Sequence, residues 1–459
     1  MQRKKAFIWF RAERIKITQR VILANEPAGA GLIFRFNQKN LNEFITFLSI
    51  IIKYFCPMQK SQTFKFEFVA LMASLMSIVA LSIDALLPAL PEIGTTLNIT
   101  NPNDNQLLIT MIFLGLGFGQ LIFGPLSDSF GRKPIVFIGF IVFIIASIIC
   151  VTTKSFEVMI IGRILQGIGL SSPRSLSISM VRDSYSGDYM AKIVSIVVMF
   201  FLLVPVIAPT LGTFFLYFFN WEAIFYFNLV FGILIMFWFW KRQPETLPKE
   251  KRIKFSPHLF TNGFKEFFKY PEAIAYTLVS GFITGSFMVY LSTSQQIFES
   301  QYHLADMFPY IFASLAISIG LATYLNSTLV VKFGMMRIGY MATIAYCIIS
   351  ILYVMLFWSG NNPSVYVLVG FFALQFFAVG FLFGNLRALA MQPLGHIAGI
   401  GAALNGFIST VMAVPIANYI GSFVKISVLP LFMGFSVFGI LSLLVFLFLK
   451  NQKRAVSLA

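Results

Sequence analysis

Twelve apolar runs, most of them about twenty residues or longer, constrain this chain more than any other feature. They fall at roughly 67–91, 105–126, 135–152, 156–182, 189–218, 221–240, 272–295, 305–331, 337–358, 363–386, 397–422 and 427–449. A helix needs about 20 apolar residues to cross the hydrocarbon core of a bilayer. Barrel strands would be about half that length and would alternate polar with apolar residues. These runs do not alternate, so helices are the expected spans. Composition agrees: 58% of the residues are hydrophobic and 11% are charged, against about 25% charged in a soluble domain. The predicted class is an all-α integral membrane protein of twelve transmembrane helices.

The sidedness of Lys and Arg sets an orientation. From residue 61 onward there are 23 such residues. Lys154 and Lys425 fall in loops on one side, and Arg163 and Arg174 lie within a span. The other 19 gather on the opposite side. They include Lys65, Arg132, Lys133, Arg182, Lys192, eight between Lys241 and Lys269, Lys332, Arg337, Arg387 and the tail. Both termini are therefore expected in the cytoplasm, in a multi-pass cell membrane.

The net charge of +16 does not call for nucleic acid. Residues 1–60 hold 11 Lys/Arg against 3 Asp/Glu, and the rest of the excess is the topogenic signal. Basic juxtamembrane residues suit anionic membrane lipid instead. Residues 1–57 are weakly patterned, and their one apolar run, Phe44–Phe55, is too short to span. Met58-Gln59-Lys60 before the first span reads as a natural start. The segment is expected to be upstream sequence or a disordered extension, with an interfacial amphipathic anchor as the other reading.

Lys241–Pro271 is the longest polar stretch between spans. It divides them into six-helix bundles at 58–240 and 272–450, joined by a linker at 241–271 and followed by a tail at 451–459. An internal repeat is visible across that division. The segment Gly124-Pro125-Leu126-Ser127-Asp128-Ser129-Phe130-Gly131-Arg132-Lys133-Pro134 lies between the second and third spans. Ser327-Thr328-Leu329-Val330-Val331-Lys332-Phe333-Gly334-Met335-Met336-Arg337 occupies the same place in the second half. Leu126, Phe130 and Gly131 match Leu329, Phe333 and Gly334 at constant offset, while Asp128 becomes Val331.

Twelve spans, the 6+6 division and the Gly124–Pro134 loop together resemble the major facilitator superfamily over residues 58–450. Further motifs resemble its Bcr/CflA drug-resistance group. These are Asp84-Ala-Leu-Leu-Pro88-Ala-Leu-Pro91 in helix 1, Arg163-Ile-Leu-Gln166-Gly167-Ile-Gly169 in helix 4, and Ala208-Pro209-Thr-Leu-Gly212 in helix 5. The helix 5 sequence has fewer glycines than a full antiporter motif. Asn220-Trp221-Glu222 opens helix 6, with Glu222 where a basic residue is common. The resemblance implies two pseudo-symmetric bundles and a drug:proton antiporter. It also implies that the Gly124–Pro134 loop is a cytoplasmic gate.

Charge inside a bilayer is costly and is usually paired or functional. Asp84 and Arg163 lie at equal depth, so a pair is possible. Asp84 then either binds the coupling proton, tethers Arg163 permanently, or caps the Pro88 break. Arg174 follows Arg163 by three helical turns and points the same way. It either draws an anionic substrate or snorkels to the surface. Gln166 is the better generic candidate for a substrate cavity. Asn228 is another, although a helix-packing hydrogen bond explains it better. Gly124, Asp128, Gly131, Arg132, Lys133 and Asp183 form the expected gate: one guanidinium can bridge two carboxylates, Gly124 would allow close helix approach, and Gly131 would allow the turn.

The three cysteines and three histidines are scattered, and neither a metal-ligand spacing nor a phosphate loop is present. No enzyme and no cofactor is expected, so a proton gradient would drive any uphill transport. The expected function is proton-coupled efflux of small amphipathic molecules by a monomer using alternating access. The alternatives are an uptake symporter for a small organic anion or nutrient and a non-transporting receptor on the same fold.

Overall fold

The computed structural model describes residues 66–458 other than Ser186, Phe255 and Pro257, so the 1–57 extension lies outside the described residues. Every regular element among the described residues is helical. Six long helices precede the linker: α1 (Phe66–Asp84), α3 (Leu107–Phe130), α4 (Arg132–Thr152), α5 (Phe156–Ser184), α6 (Gly187–Phe218) and α7 (Glu222–Arg242). A short α2 (Leu90–Thr96) continues α1 after its break. Six more follow: α9 (Pro271–Gln295), α10 (Phe308–Phe333), α11 (Met335–Leu356), α12 (Val365–Met391), α13 (Ala398–Gly421) and α14 (Leu429–Leu458). Among the described residues, ten helices are long and apolar enough to cross a membrane. Helix α5 is polar for a span, because it carries Arg163, Gln166, Arg174 and a run of serines.

The two sets of six pair in the same pattern. In the first half α1 packs on α6, α3 on α5, and α4 on both α5 and α7. In the second half α9 packs on α13, α10 on α12, and α11 on both α12 and α14. These are the corresponding helices of each set, as a duplicated bundle requires. Symmetry-related pairs also join the halves: α3 lies against α13, and α6 against α10. Small residues bring α3 and α5 together. A Cβ on Gly115 would strike the Ile164 carbonyl oxygen, and one on Gly167 would strike that of Ile112. Such backbone-to-backbone approach is how helices associate where no hydrophobic driving force exists. The second half has an aromatic core, in which Tyr353 stacks on Phe432 with ring centroids 3.7 Å apart.

Three expected boundaries move. Gly124–Pro134 is not a loop: α3 runs through Phe130 and α4 starts at Arg132, so Gly131 alone is non-helical. Pro134 permits this because the first-turn N–H groups of a helix have no intrahelical partner to lose. The linker contains a helix, α8 (His258–Phe267), and its Phe267 is buried in a small apolar cluster with Ala273, Leu394 and Leu404. The tail predicted from 451 is the end of α14.

Candidate functional site: a helix break, a latch and a seam

Helix α1 ends at Asp84 because Pro88 has no N–H to give the Asp84 carbonyl. The chain then makes a short 3-10 turn, Leu87–Ala89, before α2. Asp84 is 5% exposed, and its carboxylate forms no ion pair or hydrogen bond among the described residues. A Cβ on Gly212 of α6 would strike the Ala85 carbonyl oxygen and lie 2.8 Å from Pro88 Cγ. The glycine of the helix 5 motif, together with buried Pro209 one turn earlier, thus holds α6 directly against the break. From the opposite half, Tyr290 of α9 comes within electrostatic reach of Asp84. Its ring is wedged between Phe372 and Phe376, at 5.1 and 4.6 Å, and its buried hydroxyl has no hydrogen-bond partner.

Arg163 does not pair with Asp84. Its guanidinium donates to the carbonyls of Leu108 (Nε, 2.7 Å) and Ser82 (Nη1, 3.2 Å) and to Gln166 Oε1 (Nη1, 2.9 Å). The break explains this geometry. Leu86 N–H turns back to the Ile83 carbonyl at 3.4 Å, which leaves the Ser82 carbonyl short of its helical donor. Arg163 supplies the donor instead, so it braces the backbone two residues from Asp84 rather than neutralising the acid.

Gln166 is likewise not a cavity residue. It is 1% exposed and donates to Ser147 Oγ of α4 at 2.9 Å, inside the first bundle. Asn228 of α7 is also buried, with its Oδ1 unpartnered, and lies in the core of that bundle rather than on an open surface. Arg174 keeps accessible surface, and its Cζ sits 5.9 Å from the Phe201 ring centroid.

Arg132 bridges the two carboxylates expected near it. Arg132 donates to Asp128 at 2.5 Å and to Asp183 at 2.9 Å, with a further bond to Ser127 Oγ at 2.7 Å. These connect the end of α3, the start of α4 and the end of α5. Gly131 makes the turn at φ 104°, where a side chain would be strained. Gly124 has a lesser part than expected: a Cβ there would meet only Ala403 Cβ at an ordinary 3.7 Å. Lys133 Nζ donates to the Trp240 carbonyl at 2.9 Å.

Glu245 completes the latch, and sequence reasoning missed it. Its two carboxylate oxygens accept from the backbone N–H groups of Arg132 (2.9 Å) and Lys133 (3.1 Å). A carboxylate on the free N–H groups of a helix start is doubly favoured, by hydrogen bonding and by the helix dipole. Ile253 N–H also donates to the Asp128 carbonyl at 3.1 Å. The start of the linker is therefore stitched to the turn. The available signal was an acid between two prolines, Pro244 and Pro248, directly after a helix with a basic end.

At the opposite end of the molecule the halves are joined by uncharged groups. Asn103 donates to the Ser422 carbonyl at 3.1 Å, and Thr110 to Asn418 Oδ1 at 2.7 Å. Gln106 donates to Gln296 Oε1 at 3.0 Å and to the Gly421 carbonyl at 3.4 Å, and Gln296 donates to Asn103 Oδ1 at 2.9 Å. Midway along the seam the Phe118 and Phe407 rings lie 5.2 Å apart.

Two repeated six-helix bundles that meet along a seam, closed at one end by amides and bordered at the other by an ionic latch, describe a membrane transporter rather than an enzyme. Residues 72–417 match the Major Facilitator Superfamily, and the chain belongs to it. It is 27% identical over 398 residues to the bicyclomycin resistance protein homolog of Haemophilus influenzae, covering 84% of this chain and 97% of that one. A chloramphenicol resistance protein of Pseudomonas aeruginosa is 29% identical over 260 residues, 56% of this chain and 60% of its own. Among solved structures, the human organic anion transporter MFSD10 (TETRAN) superposes with a TM-score of 0.63 at 17% identity, over 84% of this chain and all of that one. This last likeness concerns the fold.

Proposed function

We propose that this chain is a proton-coupled antiporter that exports small amphipathic molecules by alternating access, with both termini in the cytoplasm. The observation that carries the reading is Asp84. It is a buried carboxylate at a helix break, left without a partner among the described residues, next to the Ala85 carbonyl on which Gly212 of its own half packs and within electrostatic reach of Tyr290 of the other half. Rocking one half against the other changes its surroundings, and with them its hold on the proton. Arg163 fixes the break and so fixes where that carboxylate sits. The drug-resistance names among the relatives support export over uptake.

In everted membrane vesicles, Asp84→Asn should fold and bind substrate but lose substrate-induced proton release. Proton coupling retained at the wild-type level in a folded Asp84→Asn protein would sink this assignment. Alkalinisation should speed release of the proton from Asp84 and slow its uptake, so wild-type transport should peak between those limits while the Asn variant loses that dependence.

A further inference from the structure

Four arginines reach inward from the helices of this molecule, and they are not alike. Arg132 has two carboxylates. Arg163 has two carbonyls and an amide. Arg174 of α5 and Arg387 of α12 form no ion pair and no hydrogen bond among the described residues, and the Arg387 charge reaches Arg174. They belong to opposite halves. Surrounding protein desolvates both, while Arg387 keeps exposed surface and Arg174 keeps part of its own.

Arg387 was expected at the cytoplasmic surface because the apolar run appeared to end at 386. Helix α12 continues to Met391, which places Arg387 about one turn before the helix end, still exposed. Helical side chains lean toward the N-terminus of their helix, so this one leans deeper into the molecule. Its Nη2 lies 3.9 Å from where a Cβ on Gly406 would stand, and Gln120 Oε1 of α3 crowds the same point. Gly406 and Gln120 belong to the α3–α13 seam. From the helix ends nearest the latch, Arg174 and Gln120 are about 15 Å deep and Gly406 about 12 Å, at 1.5 Å per residue. The Arg387 head therefore comes to the level of Arg174, at the junction of the halves.

A desolvated guanidinium is costly without a partner, and two like charges facing each other cost more. An anion between them removes both penalties, and a carboxylate matches the planar fork of each guanidinium. We propose that Arg174 and Arg387 form a two-sided anion site, one arginine from each half, that selects amphipathic carboxylates as substrates. Phe201, under the Arg174 head, offers the apolar part of such a molecule an aromatic face. This deepens the transporter reading above and rests on it for the word substrate, but the binding site can be tested alone.

The test uses full-length protein in detergent. Binding of salicylate and naproxen is followed by thermal shift and tryptophan fluorescence, each beside its uncharged amide. In the wild type each carboxylate should bind about tenfold more tightly than its amide, the discrimination that a charge-assisted bond of 1.4 kcal/mol supplies. Arg174→Gln and Arg387→Gln should each abolish most of that preference while leaving amide binding and the melting temperature of the free protein in place. Arg387→Lys should retain part of it, since the charge remains and the fork is lost. Equal affinity for carboxylates and amides in the wild type would overturn the proposal. So would a preference that survives both Gln substitutions. Vesicle efflux of neutral drugs is measured in parallel, and its absence would count against the export reading without touching the anion site.

Discussion

The turns at Gly131 and Gly334 have nearly the same backbone and different surroundings. Gly131 adopts φ 104° and ψ 157°, and Gly334 adopts φ 79° and ψ 147°. Each is a one-residue joint between the second and third helices of its half. Around Gly131 stand Asp128, Arg132, Asp183 and Glu245. A Cβ there would lie 2.5 Å from Glu245 Oε2 and 2.8 Å from Arg252 Nη2. Around Gly334 a Cβ would meet nothing within 4 Å. Val331, which replaces Asp128, is 87% exposed, and the nearby cations only flank the Phe333 ring, Lys332 at 5.2 Å and Arg337 at 6.0 Å. After duplication the joint stayed in both copies because the helix-turn-helix path needs it. The ionic cluster is present in one copy only. The joint thus belongs to the shared path of the chain, and the cluster distinguishes the first half from the second.

That contrast can be tested from its strongest point. Arg132→Ala leaves Asp128 and Asp183 without their cation, and removing one partner of a partly buried pair should cost about 3 kcal/mol. The melting temperature in detergent should fall markedly and transport should be largely lost. Arg337→Ala should change stability by less than about 0.5 kcal/mol; equal losses at the two positions would contradict the contrast. Gly131→Ala comes next. Both turns lie in a backbone region that costs a side chain about 1–3 kcal/mol, but only at Gly131 does the new methyl also meet Glu245 and Arg252. Chemical denaturation should therefore rank Gly131→Ala below Gly334→Ala in stability. Glu245→Gln is milder, about 1 kcal/mol for a weakened charged cap. Amide hydrogen exchange should rise at Arg132 and Lys133 and stay unchanged at Met335 and Met336. Lys332→Gln is the smallest change, a few tenths of a kcal/mol for an exposed cation–π contact, and transport should be unaffected.

Length and hydropathy located the spans to within a few residues, because a bilayer leaves few alternatives for an apolar run of twenty. The latch residues Asp128, Arg132 and Asp183 were also legible, since charge at helix ends with a glycine between them admits few arrangements. Glu245 was not, because it reaches the turn from 113 residues away in the chain, and no local pattern announces such a return. Arg163 misled for a different reason. Equal depth suggested Asp84 as its partner, but the Pro88 break strands a carbonyl that competes for the same guanidinium. Gln166 looked free in sequence and is consumed by Ser147. Arg387 sat one residue beyond an estimated boundary, whereas α12 carries on past it for about one more turn.

The amide closure at the end away from the latch has a consequence in salt. Asn103, Gln106, Thr110, Gln296 and Asn418 carry no net charge, so their hydrogen bonds are insensitive to ionic screening. The Arg132 pairs are partly buried, with side chains 10–29% exposed, so salt, whose Debye length falls from about 10 Å at 0.1 M to 3 Å at 1 M, screens them only in part. Rising ionic strength should therefore weaken the Arg132 pairs modestly and leave the amide seam unchanged, so the two ends of this molecule answer differently to the electrolyte.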